Sequence, residues 1–138
     1  MEEKNSIRGK KARGAGARFE LKVRGDLEAQ GYVLDKWTNN VDIDEEKVIK
    51  AKRKYNPFMR ALSVGTGFPD FVCIKRKGEL YEVVGVEVKS RGYLKPEEKK
   101  KCEILLRLKV FSKILVARKG KKPGEIVYED FGDKYNKT

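Results

Sequence analysis

The sequence predicts an α/β domain in which a central mixed sheet is flanked by helices. Two segments, residues 15–30 and 96–112, have apolar side chains at the four-residue spacing of amphipathic helices. The remaining regular segments are short runs rich in β-branched residues, which favour strands. Their order along the chain is α-β-β-β-α-β-β, with an insert after the first strand, and no repeat or linker divides the 138 residues.

Two basic segments lie outside these predicted elements. Residues 1–14 are polar and basic, and we interpret them as a mobile arm preceding a single domain at residues 15–138. Residues 38–66 form a basic insert, in which Asp44 is suited to cap a short helix ending near Tyr55. A long connection inside a domain is often functional, so the insert is a candidate binding segment.

The first helix is predicted from one apolar stripe. Phe19, Val23 and Leu27 recur every four residues, which places them on one side of a helix. Gly31 follows the last turn and is suited to end the helix. Residues 31–37 then read as a short strand.

A hairpin is predicted for residues 67–89, with Gly78 and Glu79 as its two-residue turn. Glycine at the first central position suits a type II′ turn, which sets the register of the two strands. Counting outward from this turn places Asp70 opposite Glu87. Because directly opposed like charges destabilise a sheet, a divalent cation is the simplest way to offset their repulsion.

The second half of the chain predicts one helix and two strands. The helix covers residues 96–112, and Pro96 suits its first turn. Residues 113–117 and 125–131 are the two strands, joined by a glycine- and lysine-rich turn.

This second helix is apolar on two sides. One side is formed by Cys102, Leu106 and Val110, which would cover the sheet; the other contains Ile104, Leu108 and Phe111. A helix that is apolar on both sides must be buried on both. The second side packs either on the strands of residues 113–131 or on a second copy of the chain.

Three further residues point to chemistry around Asp70 and Glu87. Lys89 shares a strand face with Glu87, because side chains alternate along a strand. Glu20 lies about 100° from Phe19, on the buried side of the first helix, and Lys99 lies on the apolar stripe of the second. A metal held by the two carboxylates would polarise a phosphate, and Lys89 would orient or deprotonate the attacking water. Taken singly, each residue also has an ordinary explanation, such as a surface ion pair or a lysine stem covering apolar surface.

Composition indicates a polyanionic partner and excludes several kinds of site. The chain has 33 Lys and Arg against 21 Asp and Glu, a net charge of +12, which favours nucleic acid. Adaptation to heat would raise Lys and Glu together and does not by itself produce this excess. The chain has no His and only two Cys, which excludes His-dependent nucleophiles, disulfide frameworks and Cys-based zinc sites. Without an apolar run of membrane-spanning length, we expect a cytoplasmic protein with no membrane partner.

The order of these residues resembles the PD-(D/E)XK nuclease superfamily. The matching features run from residue 14 to residue 117: Glu20 in a helix, Phe68-Pro69-Asp70 opening a strand, Glu87-Val88-Lys89 closing the next, and an amphipathic helix. Within the superfamily the chain most resembles archaeal Holliday-junction resolvases, in which a serine follows the Glu-x-Lys, here Ser90. The replication-repair nucleases called VRR domains share the Gly-x-Pro-Asp opening, here starting at Gly67.

The resemblance implies a restriction-endonuclease-like core and a role for each candidate. Mg²⁺, with Mn²⁺ as a substitute, would be held by two carboxylates and a main-chain carbonyl, those of Asp70, Glu87 and Val88. Lys89 would serve the attacking water, and Glu20 would bind a second metal or orient water. Lys99 stands where the family often has Gln.

The activity so implied is that of a metal-dependent DNA endonuclease selective for branched DNA. A four-way junction is resolved by two nicks, so a homodimer is expected. The residues predicted to contact DNA are mostly basic and come from the arm, the insert and the end of the hairpin: Lys10, Lys11, Arg13, Lys50, Lys52, Arg53, Lys54, Arg60, Ser90 and Arg91.

Three alternatives stay open. The first is a VRR-like or restriction-like DNase acting on flaps, nicks or duplex DNA. The second is a DNA-binding protein that has the nuclease fold but does not cleave. The third, a basic RNA-associated protein, accounts for the net charge but leaves Glu20, Asp70 and Glu87 unexplained.

Overall fold

The structure is a computed structural model that describes residues 2–51, 54–56, 61–63 and 67–135, with side chains described for residues 14–51 and 67–135. Over this part of the chain the helices and strands follow in the order α1 (Glu2–Ala29), β1 (Val33–Lys36), β2 (Asn39–Asp42), β3 (Lys47–Lys50), β4 (Lys54–Asn56), β5 (Ala61–Ser63), β6 (Phe71–Lys77), β7 (Leu80–Val88), α2 (Pro96–Arg107), β8 (Lys113–Lys119), β9 (Ile126–Asp130) and α3 (Phe131–Tyr135). None of the described helices is both long and apolar enough to cross a lipid bilayer.

The central sheet has five strands in the order β1-β6-β7-β8-β9. Strands β7 and β8 run parallel, and every other neighbouring pair is antiparallel. Helix α1 contributes to an apolar cluster on one face of the sheet, and α2 contributes to a second cluster. Alternation of side chains along β8 assigns the clusters to opposite faces, since Ala117 belongs to the first and Val116 to the second. The predicted α/β class with a central mixed sheet between helices is confirmed.

Helix α1 is longer than predicted. Its stripe of Phe19, Val23 and Leu27 is buried against the sheet, as the spacing indicates. Gly31 ends the helix with a φ of 97°, and the N–H of Tyr32 donates to the Leu27 carbonyl at 3.1 Å. The helix begins at Glu2, however, so the predicted arm falls within its range. Apolar periodicity could not indicate this extension, because the first 14 residues are almost entirely polar.

The prediction of a helix that begins near Asp44 is wrong. Strands β2 and β3 form an antiparallel hairpin there, with Val41 opposite Val48, and Glu46 takes a φ of 53° in the turn. Val41 and Val48 pack against the cluster on the α2 face, and this tertiary contact outweighs the local helix signals. Farther along the insert, β4 pairs with β5 in a separate two-stranded sheet.

The register of the β6–β7 hairpin is as predicted. Lys77 pairs with Leu80 across the turn, and the pairing continues to Phe71 opposite Val86. Gly78 has a φ of 65°, the sign that a II′ turn requires at its first central position. The next pair outward from Phe71 and Val86 brings Asp70 to Glu87.

Helix α2 ends at Arg107, five residues earlier than predicted. The residues predicted to form its second apolar side therefore do not all lie on the helix. The chain reverses at Lys109, which has a φ of 58°, and the N–H of Val110 donates to the Leu105 carbonyl at 3.1 Å. Phe111 therefore lies beyond the helix, on the sheet. Its ring contacts Trp37 edge-on, with the centroids 5.2 Å apart.

One of the two interpretations of the stripe of Ile104, Leu108 and Phe111, that it packs on a second copy of the chain, is wrong. Ile104 and Phe111 are buried within the chain in the cluster on the α2 face. Only Leu108 is exposed, at 45%. The alternative of burial inside the chain is the one that the structure adopts.

The two last strands are present, and a short helix follows them. Strand β8 extends to Lys119, and β9 ends at Asp130. Helix α3 was not predicted; its Phe131 is buried in the same cluster as Phe111.

Candidate active site

Asp70 is held at the point where β6 begins, by close contact with the chain that leaves β1. A Cβ on Gly67 would overlap the Trp37 carbonyl oxygen, so only glycine allows this approach. The Phe68–Pro69 peptide bond is cis, and the Trp37 N–H donates to the Asp70 carbonyl at 3.0 Å. The Gly-x-Pro-Asp segment thus fixes the main chain of Asp70 at the sheet edge.

Asp70 is hydrogen-bonded both to Glu87 and to the next residue of β7, Val88. The Asp70 N–H donates to Glu87 Oε1 at 3.2 Å, and the Val88 N–H donates to Asp70 Oδ2 at 2.8 Å. Glu87 is 5% exposed and is the one charged residue that is buried in the described part of the chain. The predicted juxtaposition of the two carboxylates is therefore present.

Burial raises the pKa of Glu87 to about 10. The hydrogen bond with Asp70 and the charge of Asp70 act in the same direction, and the Lys89 ammonium only partly opposes them. Without a cation at the pair, Glu87 therefore keeps its proton at neutral pH. A second positive charge would be needed to ionise it.

Lys89 projects beside this pair and is held by Glu98, which was not among the predicted site residues. Its Nζ lies 2.7 Å from Glu98 Oε2 and 3.9 Å from Glu87 Oε2. Glu98 stands three residues after the cap of α2, where its Oε1 also accepts the Lys95 N–H at 2.9 Å. The sequence does contain a signal for this role: Glu98 lies two residues after Pro96, in the first turn of the predicted helix, where an acid can accept the N–H of the capping residue.

The ion pair keeps Lys89 charged. Burial alone would lower the pKa of Lys89, but the hydrogen bond to Glu98 and the charge of Glu98 raise it above its ordinary value. Burial likewise opposes ionisation of Glu98, yet hydrogen bonds from Lys89 and the Lys95 N–H bring its pKa below the usual range. At neutral pH the site thus presents a fixed ammonium next to the two carboxyl groups.

The two helix residues predicted to join this site have other partners. Glu20 pairs with Lys36, at 3.2 Å from Oε1 to Nζ, and Lys99 places its Nζ 4.8 Å from the centre of the Tyr135 ring. Among the described residues, no group of three or more Asp, Glu or Cys side chains is close enough to hold a metal ion. The structure thus brings together Asp70, Glu87 and Lys89, and not Glu20 or Lys99.

The residues predicted to contact DNA are only partly described. Ser90 and Arg91 directly follow Lys89 and are exposed, and Lys50 is exposed at the end of β3. The side chains of the others lie outside the described residues: Lys10, Lys11, Arg13, Lys52, Arg53, Lys54 and Arg60.

No family model, curated protein or solved structure matches this chain.

The donor set at the sheet edge fits Mg²⁺. This ion commonly binds through one or two carboxylates and keeps several waters, which a substrate phosphate can replace. Asp70 and Glu87 supply two such carboxyl groups on adjacent segments of the hairpin, and Glu87 is a buried acid that a further cation would allow to ionise. A third protein carboxylate is not required for this mode of binding.

We expect the metal-free protein to lose stability as pH rises, because of Glu87. A raised folded-state pKa contributes stability that is present below the ordinary pKa of Glu and is lost as pH rises toward about 10. Glu87→Gln removes this contribution. In urea denaturation with EDTA between about pH 6 and pH 9, the wild type should lose up to about 1.4 kcal/mol per pH unit relative to Glu87→Gln.

Glu79→Gln, in the exposed turn of the same hairpin, is the matched control and should follow the wild type. If wild type and Glu87→Gln lose stability in parallel over this range, Glu87 is ionised in the folded protein and its proposed environment is wrong.

Proposed function

We propose that this protein is a metal-dependent endonuclease that hydrolyses DNA phosphodiester bonds, with a site of the PD-(D/E)XK kind. The observation that carries the proposal is the pairing of half-buried Asp70 with buried Glu87, with the Lys89 ammonium 3.9 Å from Glu87. Opposed carboxyl groups at a sheet edge are costly in a purely structural role. They are favourable where a cation and a phosphate must be held together.

Each residue of the site has a distinct part in this chemistry. Asp70 and Glu87 would hold Mg²⁺, with the Val88 carbonyl as a further proposed ligand. When bound, the ion would polarise the phosphate and lower the pKa of a water. Because Lys89 is charged at neutral pH, we assign it to binding the phosphate and stabilising its developing negative charge, rather than to removing a proton.

Branched DNA is the proposed substrate, and two copies of the chain would place the two nicks that resolve a junction. The net charge of +12 suits a DNA substrate of any shape, so the choice of a junction over a flap or nick rests on the resemblance to resolvases. A VRR-like DNase is the alternative within the same chemistry.

Cleavage assays on four DNA shapes test the proposal. A four-way junction, a flap, a nicked duplex and a linear duplex are incubated with the protein in Mg²⁺, Mn²⁺ or EDTA, and products are mapped on each strand. Metal-dependent paired nicks in the junction, with a dimer by light scattering, are expected. A monomer that cuts flaps or nicks would favour the VRR-like activity, and DNA binding without cleavage in either metal would contradict an endonuclease.

Glu98→Gln should reduce the cleavage rate by about tenfold through its effect on Lys89. The amide preserves the hydrogen bond to the Lys95 N–H, so α2 still starts at the same place, but it removes the charge that holds the ammonium. The rate should fall, and the alkaline limb of the pH–rate profile should move to lower pH.

Glu97→Gln changes the neighbouring acid, whose partner is Lys101 and which lies away from the site. This control should keep the wild-type rate and pH profile. If both variants lose cleavage equally, the first turn of α2 affects the rate only through the stability of the fold, and the role proposed for Glu98 is wrong.

A further inference from the structure

A basic groove runs between α1 and the loop that joins β8 to β9. It has a volume of about 520 Å³, and its walls are the exposed side of α1 around Arg18 and Lys22 and the turn of residues 119–126. The turn is closed by two main-chain hydrogen bonds, from Gly120 to the Glu125 carbonyl at 2.8 Å and from Glu125 to the Lys122 carbonyl at 3.1 Å. The groove is therefore framed by a helix and a closed loop.

Five cationic side chains line this groove against a single carboxylate, Glu125. All five are exposed, and none of them forms an ion pair within the described residues: Arg18, Lys22, Lys119, Lys121 and Lys122. Other exposed cations of the described chain, such as Arg76, Lys77 and Lys109, also have no ion pair, so it is the clustering around one cavity that distinguishes the groove. Clustered like charges repel one another, so the groove is suited to an anionic ligand.

The groove reaches the same edge of the sheet as Asp70 and Glu87. Strands β7 and β8 are parallel, so their carboxyl ends lie side by side. The Lys89 N–H donates to the Ala117 carbonyl at 2.9 Å, and the Lys119 N–H donates to the Ser90 carbonyl at 3.1 Å. One wall of the groove is thus hydrogen-bonded to the segment that carries Lys89.

The two sites open on opposite faces of that edge. Alternation along β8 puts Lys119 on the α1 face with Ala117, and its Nζ lies 5.5 Å from the centre of the Phe19 ring. Lys89 contacts Glu98 of α2, on the other face. A chain of phosphates that crosses the sheet edge would contact both sites.

We propose that this groove binds the phosphate backbone of the DNA that flanks the scissile bond. The proposal rests on the proposed nuclease function for its choice of ligand, and it adds five cationic contacts to the predicted DNA-binding residues. The groove holds the backbone by charge alone, so it contributes affinity without base sequence preference. It requires no metal.

The test compares two triple variants with the same charge change. The groove variant is Arg18→Gln/Lys22→Gln/Lys122→Gln, and the control is Arg76→Gln/Lys77→Gln/Lys109→Gln at the opposite end of the sheet. All six residues are exposed, so both variants should fold, which circular dichroism checks. The probe is a labelled duplex of about three helical turns in EDTA, titrated between about 50 and 200 mM salt.

The groove variant should bind the duplex at least tenfold more weakly at the higher salt, and its plot of log affinity against log salt should flatten by about two to three units. The control should bind within about twofold of the wild type. Wild-type affinity and slope in the groove variant, or equal losses in both variants, would overturn the proposal. Tighter binding of duplex RNA than of DNA would overturn the choice of ligand.

Cleavage by the same proteins in Mg²⁺ separates this proposal from the nuclease. If the groove variant loses binding while the wild type cuts no DNA, the groove is supported and the nuclease is overturned. If the wild type cuts DNA and the groove variant binds and cuts like it, the nuclease stands and the groove fails.

Discussion

The Asp70→Asn protein is expected to lose DNA cleavage by about 10³-fold or more while it binds DNA as tightly as the wild type. The substitution keeps the size of the side chain and its acceptor for the Val88 N–H, but removes one of the two anionic groups proposed to hold Mg²⁺. Such an ion supplies several kcal/mol of transition-state stabilisation, and each 1.4 kcal/mol corresponds to about tenfold in rate. Binding depends on the basic surface, which gains net charge.

Single-turnover cleavage and binding in EDTA measure the two effects separately. Asp35→Asn, on the exposed strand β1, is the matched control and should cut at the wild-type rate. Glu87→Gln should lose cleavage as fully as Asp70→Asn. Wild-type turnover by either site variant would remove Asp70 and Glu87 from the catalytic role proposed here.

Phe111→Asp should unfold the protein rather than separate a dimer. Phe111 is 4% exposed, its ring contacts Trp37, and it packs over Gly85, where a Cβ would come within 3.1 Å of the ring. Truncating a buried Phe costs about 3–5 kcal/mol. A charge left in the cavity adds to that cost. Circular dichroism and urea denaturation should therefore find little folded protein.

Leu108→Asp is the control from the same sequence stripe. Its side chain is nearly half exposed, so the variant should stay folded with a far smaller loss in free energy of unfolding than Phe111→Asp. A folded, monomeric Phe111→Asp protein would mean that Phe111 lies on a surface between copies, contrary to its packing in the chain.

The central features of the candidate site follow from local rules. The stripe of Phe19, Val23 and Leu27 has the helical period, which is sufficient to predict that this side of the helix packs against the sheet. The turn at Gly78 sets the strand register, and the side-chain period of two then brings Asp70 to Glu87. These relations involve residues close in sequence, or paired directly across one hairpin, so counting along the chain is sufficient to predict them.

The other features depend on contacts between distant segments. The position of Glu98 and Lys99 on the helix does not show which of them reaches Lys89. That depends on where α2 starts and how it lies over the sheet. The reversal at Lys109 moves Phe111 from the helix onto the sheet, and the packing of Val41 and Val48 makes a hairpin where local signals favoured a helix. The basic groove forms only because the parallel pairing of β7 and β8 carries the turn after Lys119 to the edge where α1 lies. Such packing is a property of the whole chain, since each contact is stable only when the surfaces on both sides have already formed.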